Sequence, residues 1–186
     1  MTPSRSQPPN APGTGWLRVL LLGFMGAGKS TIGPLLARAL GWEFLDVDAE
    51  LVRRSGVSVP GWFERFGEAR FREEEARLTT ELCARERLVL APGGGWAAHP
   101  GGLDTLPPGT GLVWLRVSAE EAVRRCSAEP GARPLLAGPD PLEHARRILA
   151  EREACYARAH YAIDVDGRTP AALTTEIIGW LKISSW

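Results

Sequence analysis

Along this chain, short apolar runs alternate with stretches whose apolar residues recur every three or four positions. The runs are residues 17–22 (LRVLLL), 43–47 (EFLDV), 88–91 (LVLA), 112–117 (LVWLRV) and 161–165 (YAIDV). Their lengths are those of strands rather than helices. Between the first two, Ile32, Leu35, Leu36, Ala39 and Leu40 keep helical spacing, and Gly41 stands where a helix C-terminal glycine is favoured. Ser118 with Glu121 has the spacing of a capping box, while Asp140-Pro141 and Thr169-Pro170 each set a capping residue before a proline suited to a first helical turn. The alternation predicts an α/β fold with about five strands in a mainly parallel sheet. No internal repeat interrupts it. Only residues 127–141 (SAEPGARPLLAGPDP) form a long loop-rich stretch, and loops of that length in a compact domain are usually functional.

Composition narrows the class. A chain of 186 residues, 44% apolar and 24% charged, can bury one full core, and 22 basic residues balance 22 acidic ones. That balance excludes a global basic field for nucleic acid or an anionic membrane, so any anion site is local. Cys83, Cys126 and Cys155 are widely spaced and form no Cys-x-x-Cys pair, as expected of reduced thiols in a cytoplasmic protein. No run approaches the ~20 apolar residues of a membrane span, and residues 1–15 lack a signal-peptide apolar region and are expected to be a disordered tail. The rest, 16–186, reads as one domain.

The chemistry begins at residues 23–31, GFMGAGKST. Gly-x-x-x-x-Gly-Lys-Ser between a strand and a helix is the context of a phosphate-binding loop. Its glycines let the backbone curl against phosphate oxygens, Lys29 reaches the outer phosphates, and the Ser30 hydroxyl can hold Mg²⁺. Pro34 removes an amide that would bond the carbonyl of Ser30 and adds local strain. No Asn-Lys-x-Asp guanine-reading motif accompanies the loop.

Asp46 and Asp48 come next, two apart at a predicted strand end, so that they would share one face at the carboxyl edge of the sheet. One carboxylate could serve Mg²⁺ through water and the other accept a proton from a hydroxyl; a plain helix cap is the competing reading. In FGEARFREEE, Arg70 and Arg72 lie among glutamates at ion-pair spacing, which suits a solvated helix face. PGGGW follows the predicted strand 88–91, and three glycines at a strand end suggest close backbone approach to a ligand. Arg133 in ARPLL and Arg152 in EREACY would, in isolation, pass for surface residues.

Taken in order, GFMGAGKST, DVD, FGE-x-x-FR-x-x-E, GGG, RPLL and R-x-x-x-Y resemble the shikimate kinase family. The resemblance runs from about Leu17 to the C-terminal helix and implies a P-loop, nucleoside-monophosphate-kinase-like three-layer fold with strands in the order 2-3-1-4-5. It implies transfer of the γ-phosphoryl of ATP to the 3-hydroxyl of shikimate, with Mg²⁺, in chorismate and aromatic amino-acid biosynthesis. By the same resemblance Gly26, Ala27, Gly28, Lys29, Ser30 and Thr31 cradle the ATP phosphates, Ser30 is a direct Mg²⁺ ligand and Asp46 a water-mediated one. Asp48 binds the shikimate hydroxyls and is the candidate base. Arg72 and Arg152 clamp the shikimate carboxylate, a task for which planar guanidinium forks are well shaped. The amides of Gly93, Gly94 and Gly95 approach the ring hydroxyls, with Gly94 foremost. Arg133 neutralises the transferring phosphoryl from a lid at about 127–141, and Arg125, Arg168 and Pro170 lie near the adenine. A substrate-binding flap would span about 50–84, with Val59, Trp62 and Phe63 as its apolar contacts.

Some positions depart from the family pattern. Pro60-Gly61 would disturb a regular helical start, and Pro92 and Trp96 flank the triple glycine where simpler residues are common. His99, His144 and His160 read as surface or packing residues. The expected partners are ATP, ADP and shikimate, with no nucleic acid and no membrane, acting on a monomer. The alternatives are a gluconate-type kinase, which would not need two arginines for a carboxylate, and a non-catalytic nucleotide-binding regulator.

Overall fold

The computed structural model describes residues 15–128 and 140–183. Five strands, β1 (Arg18–Leu22), β2 (Glu43–Asp46), β3 (Leu88–Ala91), β4 (Thr110–Arg116) and β5 (Tyr161–Asp164), pair in parallel in the order β2-β3-β1-β4-β5. Among the described residues six α-helices connect and flank them: α1 (Lys29–Leu40), α2 (Val47–Ser55), α3 (Val59–Cys83), α4 (Ala119–Ala128), α5 (Pro141–Tyr156) and α6 (Pro170–Ile183). All five predicted strands are observed, no end shifted by more than two residues, and the strand order is the expected one.

Both faces of the sheet are covered, which is why its strands read as apolar runs. Val19, Leu21, Val89, Val113 and Leu115 meet α1 and α6 on one side. Leu20, Leu22, Leu88, Leu90 and Leu112 meet α2 and α3 on the other. β1, β3 and β4 therefore each feed two cores through their period-two alternation.

The loops that follow β1, β2 and β3 emerge from three adjacent strands at one sheet edge, because β3 lies between β2 and β1. Asp46, the last residue of β2, pairs in register with Ala91, the last of β3. Ligands of open α/β sheets bind at such carboxyl ends. The same edge gathers the phosphate loop, the aspartates and the triple glycine.

Local chemistry explains three departures from the sequence expectations. β2 ends at Asp46 rather than at residue 47, because the Asp46 side chain caps α2 by accepting from the amides of Asp48 (3.1 Å) and Ala49 (3.2 Å). Asp46 and Asp48 thus do not share a strand face; one is the cap and the other lies in the first helical turn. Pro60 does not disturb the start of α3, because Ser58 is the N-cap and the proline falls in the first turn, where its missing amide costs nothing. α1 runs through Pro34 without a break. α3 itself is divided at Gly67, whose φ of 78° and ψ of 164° belong to a region that only glycine occupies readily. Residues 59–66 and 68–83 are two helical pieces hinged on that glycine, not one continuous rod. Residues 1–14 of the expected tail (1–15) and the middle of the expected lid, 129–139 including Arg133, lie outside the described residues.

Candidate active site

The phosphate loop owes its shape to backbone. Gly28 precedes α1 with φ of 91° and ψ of 20°, a left-handed conformation, and no side chain caps the helix behind it. An anion at the start of α1 would therefore meet no capping side chain and would face the positive end of the helix dipole. Lys29 Nζ donates to the carbonyls of Gly23 (2.7 Å) and Phe24 (3.3 Å), folded back along its own loop. Ser30 Oγ donates to Asp46 Oδ2 at 2.7 Å. A hydroxyl and a carboxylate oxygen in contact, both hard donors beside a phosphate cradle, fit Mg²⁺, which takes one or two protein oxygens and completes its shell with phosphate and water. Asp46 is committed on both sides, with Oδ1 to the α2 cap and Oδ2 to Ser30.

A cavity of about 420 Å³ opens above the sheet edge, lined by residues 26–31, Asp46, Asp48, Gly93 and Gly94. Arg125, Arg168 and Pro170 line it as well, together with Phe24, Pro92, Arg124 and Leu173, which the sequence reading had not singled out as site residues. Arg125 braces the loop, donating to the carbonyls of Gly26 (3.0 Å) and Val165 (3.3 Å) while its Nε holds Glu121 at 2.6 Å. Arg168 pairs with Glu176 at 2.6 Å.

Beyond Gly93 the site changes character. A β-carbon on Gly93 would overlap Glu75 Oε1 and come within 3.3 Å of Asp48 Oδ1, so both carboxylates lie directly against that glycine. A β-carbon on Gly95 would stand 3.2 Å from Arg72 Cζ and 3.4 Å from Arg152 Nη2, so the two guanidinium groups converge over the next turn of the same loop. Among the described residues, Asp48 Oδ1 and Glu75 Oε1 are buried side-chain acceptors that meet no donor. Buried polar atoms of this kind are usually satisfied, and a hydroxyl-bearing ligand would satisfy them.

Arg72 is held from three sides. Its Nη1 donates to Glu75 Oε2 (2.9 Å), its Nη2 to Glu68 Oε1 (3.3 Å), and its guanidinium lies over the rings of Phe71 (5.3 Å) and Phe63 (6.0 Å). The two phenylalanines stack on each other at 4.8 Å, which ties residue 63 of the expected flap to the helix that carries Arg72. Burial pushes the Asp48 carboxyl up to about 6, helped by the nearby charges of Glu75 and Asp46 and opposed by Lys29 and Arg72.

Glu75 is the residue that sequence reasoning placed in a motif but gave no task. A signal was present: Phe71, Glu75, Leu78 and Leu82 share one face of α3, and all four are buried. A carboxylate in an apolar stripe is costly unless it is paired or used.

Comparison with known proteins agrees with this geometry. The shikimate kinase family model matches residues 25–182. A shikimate kinase of Synechococcus sp. (strain RCC307) is 42% identical over 85% of this chain and 80% of its own. The structure of shikimate kinase from Acinetobacter baumannii in complex with shikimate superposes with a TM-score of 0.84 at 35% identity, covering 90% of this chain and 94% of that one. A gluconokinase from Sinorhizobium meliloti, at 20% identity and a TM-score of 0.60 over 95% of both chains, shares the fold alone. With a matching family model across most of its length and a relative this similar, the chain belongs to the shikimate kinase family.

Proposed function

We propose a division of labour among the site residues of this kinase. The reaction is transfer of the γ-phosphoryl of ATP to the 3-hydroxyl of shikimate, giving shikimate 3-phosphate and ADP. The phosphate loop, residues 26–31, holds the ATP phosphates on backbone amides, and Lys29 leaves the carbonyls of Gly23 and Phe24 for the outer phosphates. Mg²⁺ is held by Ser30 directly and by Asp46 through water, and when bound it neutralises charge on the phosphate oxygens. Arg125, Arg168 and Pro170 border the nucleotide on the far side of the cavity.

The observation that carries the acceptor assignment is the convergence of Arg72 and Arg152 over Gly95, one turn from Asp48. Two guanidinium groups bind a carboxylate, the neighbouring amides of Gly93, Gly94 and Gly95 meet the ring hydroxyls, and Asp48 accepts from the hydroxyl to be phosphorylated. An acidity near 6 lets Asp48 orient that hydroxyl and take its proton as the new phosphate ester forms. Phosphoryl transfer asks mainly for alignment and charge stabilisation, so positioning outweighs basicity. No helix among the described residues is long and apolar enough to cross a membrane. A cytoplasmic location is part of this reading, in keeping with three cysteines that form no disulfide.

The test is a coupled assay with ATP, Mg²⁺ and shikimate that follows ADP release and identifies shikimate 3-phosphate. Turnover that depends on shikimate and is not matched by gluconate supports the reading. ATP hydrolysis without an acceptor-dependent product overturns it.

A further inference from the structure

The motif R-x-x-x-Y contains a tyrosine that the mechanism above leaves unused. Tyr156 is 1% exposed, and its hydroxyl donates to the backbone carbonyl of Gly94, 62 residues earlier in the chain. It follows Arg152 by one helical turn, so the two side chains leave the same face of α5. Its ring packs against Trp114 of β4 with centroids 5.7 Å apart, which fixes the phenol from behind.

Gly94 is pinned on its other side. A β-carbon there would lie 3.3 Å from the carbonyl oxygen of Gly23 and 3.5 Å from the amide nitrogen of Met25, so the glycine loop rests on the start of the phosphate loop. α5 also packs against the short 3₁₀ turn Trp96–Ala98 that continues the glycine loop. The Gly94 peptide is held between a tyrosine hydroxyl from the helix that carries Arg152 and the backbone that cradles ATP.

From this juxtaposition we infer that Tyr156 is a positioning residue for the acceptor: its hydrogen bond to Gly94 holds the glycine-loop amides at a set distance from Arg152, so that the carboxylate and the hydroxyls of one ring are met together. The inference rests on the reading that Arg152 and Gly94 both face shikimate. Burial holds the phenol above its ordinary range, against the opposing charge of Arg152, so Tyr156 keeps its proton and remains a donor at neutral pH.

Tyr156→Phe keeps the ring and its packing on Trp114 and removes only the hydroxyl, with its bond to Gly94 and its hydrogen-bond contact with Arg152. The expected result is a five- to tenfold rise in the shikimate KM, the size of one lost neutral hydrogen bond, with kcat reduced less and the ATP KM within twofold of wild type. An unchanged shikimate KM, or shikimate and ATP constants rising together, overturns the inference. The wild-type protein separates the two levels: if it does not phosphorylate shikimate at all, the functional reading falls first, whereas full wild-type turnover with an indifferent Tyr156→Phe removes only the positioning role.

A second measurement leaves the sequence intact. The chain has two tyrosines, so incorporation of 3-fluorotyrosine gives two fluorine resonances, assigned with Tyr161→Phe. Tyr161 bonds Glu176 (2.7 Å) on the edge strand β5 and serves as the internal control. Shikimate added without nucleotide should shift the Tyr156 resonance and leave that of Tyr161 in place. Saturation with shikimate, established by turnover, with no movement of the Tyr156 resonance overturns the inference.

Discussion

The two halves of the cavity are made in different ways. The phosphate cradle of the nucleotide half is one continuous stretch of backbone, in which glycines at 26 and 28 take positive φ ahead of a helix start. The acceptor half is assembled from side chains on α2, α3 and α5 that meet around the glycine loop. Backbone donors cannot be mutated away singly, whereas each side chain of the acceptor half depends on partners from another element. The nucleotide half should therefore fail at its one protruding charge, and the acceptor half should fail by degrees and cooperatively.

The largest effect belongs to Lys29→Met. This change removes the one lysine of the loop and leaves the amide cradle in place, so turnover should fall by roughly two to four orders of magnitude while the fold persists. Steady-state kinetics on a protein whose far-UV circular dichroism matches wild type decides it. Near wild-type turnover in that protein would mean that the loop amides suffice and that the comparison is drawn too sharply.

On the other side, Arg72→Ala and Arg152→Ala should each raise the shikimate KM by roughly ten- to a hundredfold, the range for a charge-assisted hydrogen bond, and barely move the ATP KM. Because both hold one carboxylate, the double variant should lose much less than the product of the two factors. An acceptor lacking the carboxylate should be indifferent to both changes. Equal losses with either acceptor would show that the arginines serve the fold, through Glu75 and Glu68, and not the ligand.

The same contrast governs what could be read in the residues themselves. The strand positions, the phosphate loop and the helix starts at Asp140 and Thr169 follow from local rules, namely glycine spacing, capping residues and runs of apolar side chains, whereas the strand order came only with the family resemblance. Arg72 looks like an ion-pair residue on a solvated helix because it is one; Glu68 and Glu75 do hold it. That the same guanidinium also faces Arg152 depends on α3 and α5 meeting across 80 residues of chain, and no local pattern encodes that distance. Asp46 was ambiguous for a related reason. Its Oδ1 caps α2 while its Oδ2 accepts from Ser30, so the cap reading is observed and the second oxygen is turned to the phosphate loop. Tyr156 and Glu75 were visible only as members of motifs, since burial and hydrogen-bond partners are tertiary facts.

Protonation offers a finer instrument. With an acidity near 6, Asp48 must lose its proton to receive a hydroxyl, so kcat/KM for shikimate at saturating ATP should fall about tenfold per pH unit below about 6 and level off above it. In Asp48→Asn the rate should be low throughout and that slope should vanish. A wild-type profile flat from pH 5 to 7 would separate the acceptor half from any titrating carboxylate.

The smallest effect is on stability, and its sign runs opposite to that of activity. In the unfolded chain Asp48 titrates near the ordinary carboxylate value of 3.8, while in the folded protein burial and its acidic neighbours hold it near 6. Between those values the folded state binds a proton that the unfolded state has released, so stability declines as pH rises through this window. The cost is complete above about 6 and absent below about 4. Asp48→Asn removes the charge and keeps the shape, so at pH 7.5 it should be more stable than wild type by on the order of 1 to 2 kcal/mol, with the difference closing near pH 4. Urea midpoints of both proteins at the two pH values, at equal slope, measure this directly. Lys29 should show no comparable gain on neutralisation, because its ammonium already rests on two carbonyls of its own loop. If Asp48→Asn is no more stable at pH 7.5, the charge is met in the folded protein by its cationic neighbours, and the acceptor half holds its carboxylate at no cost to the fold.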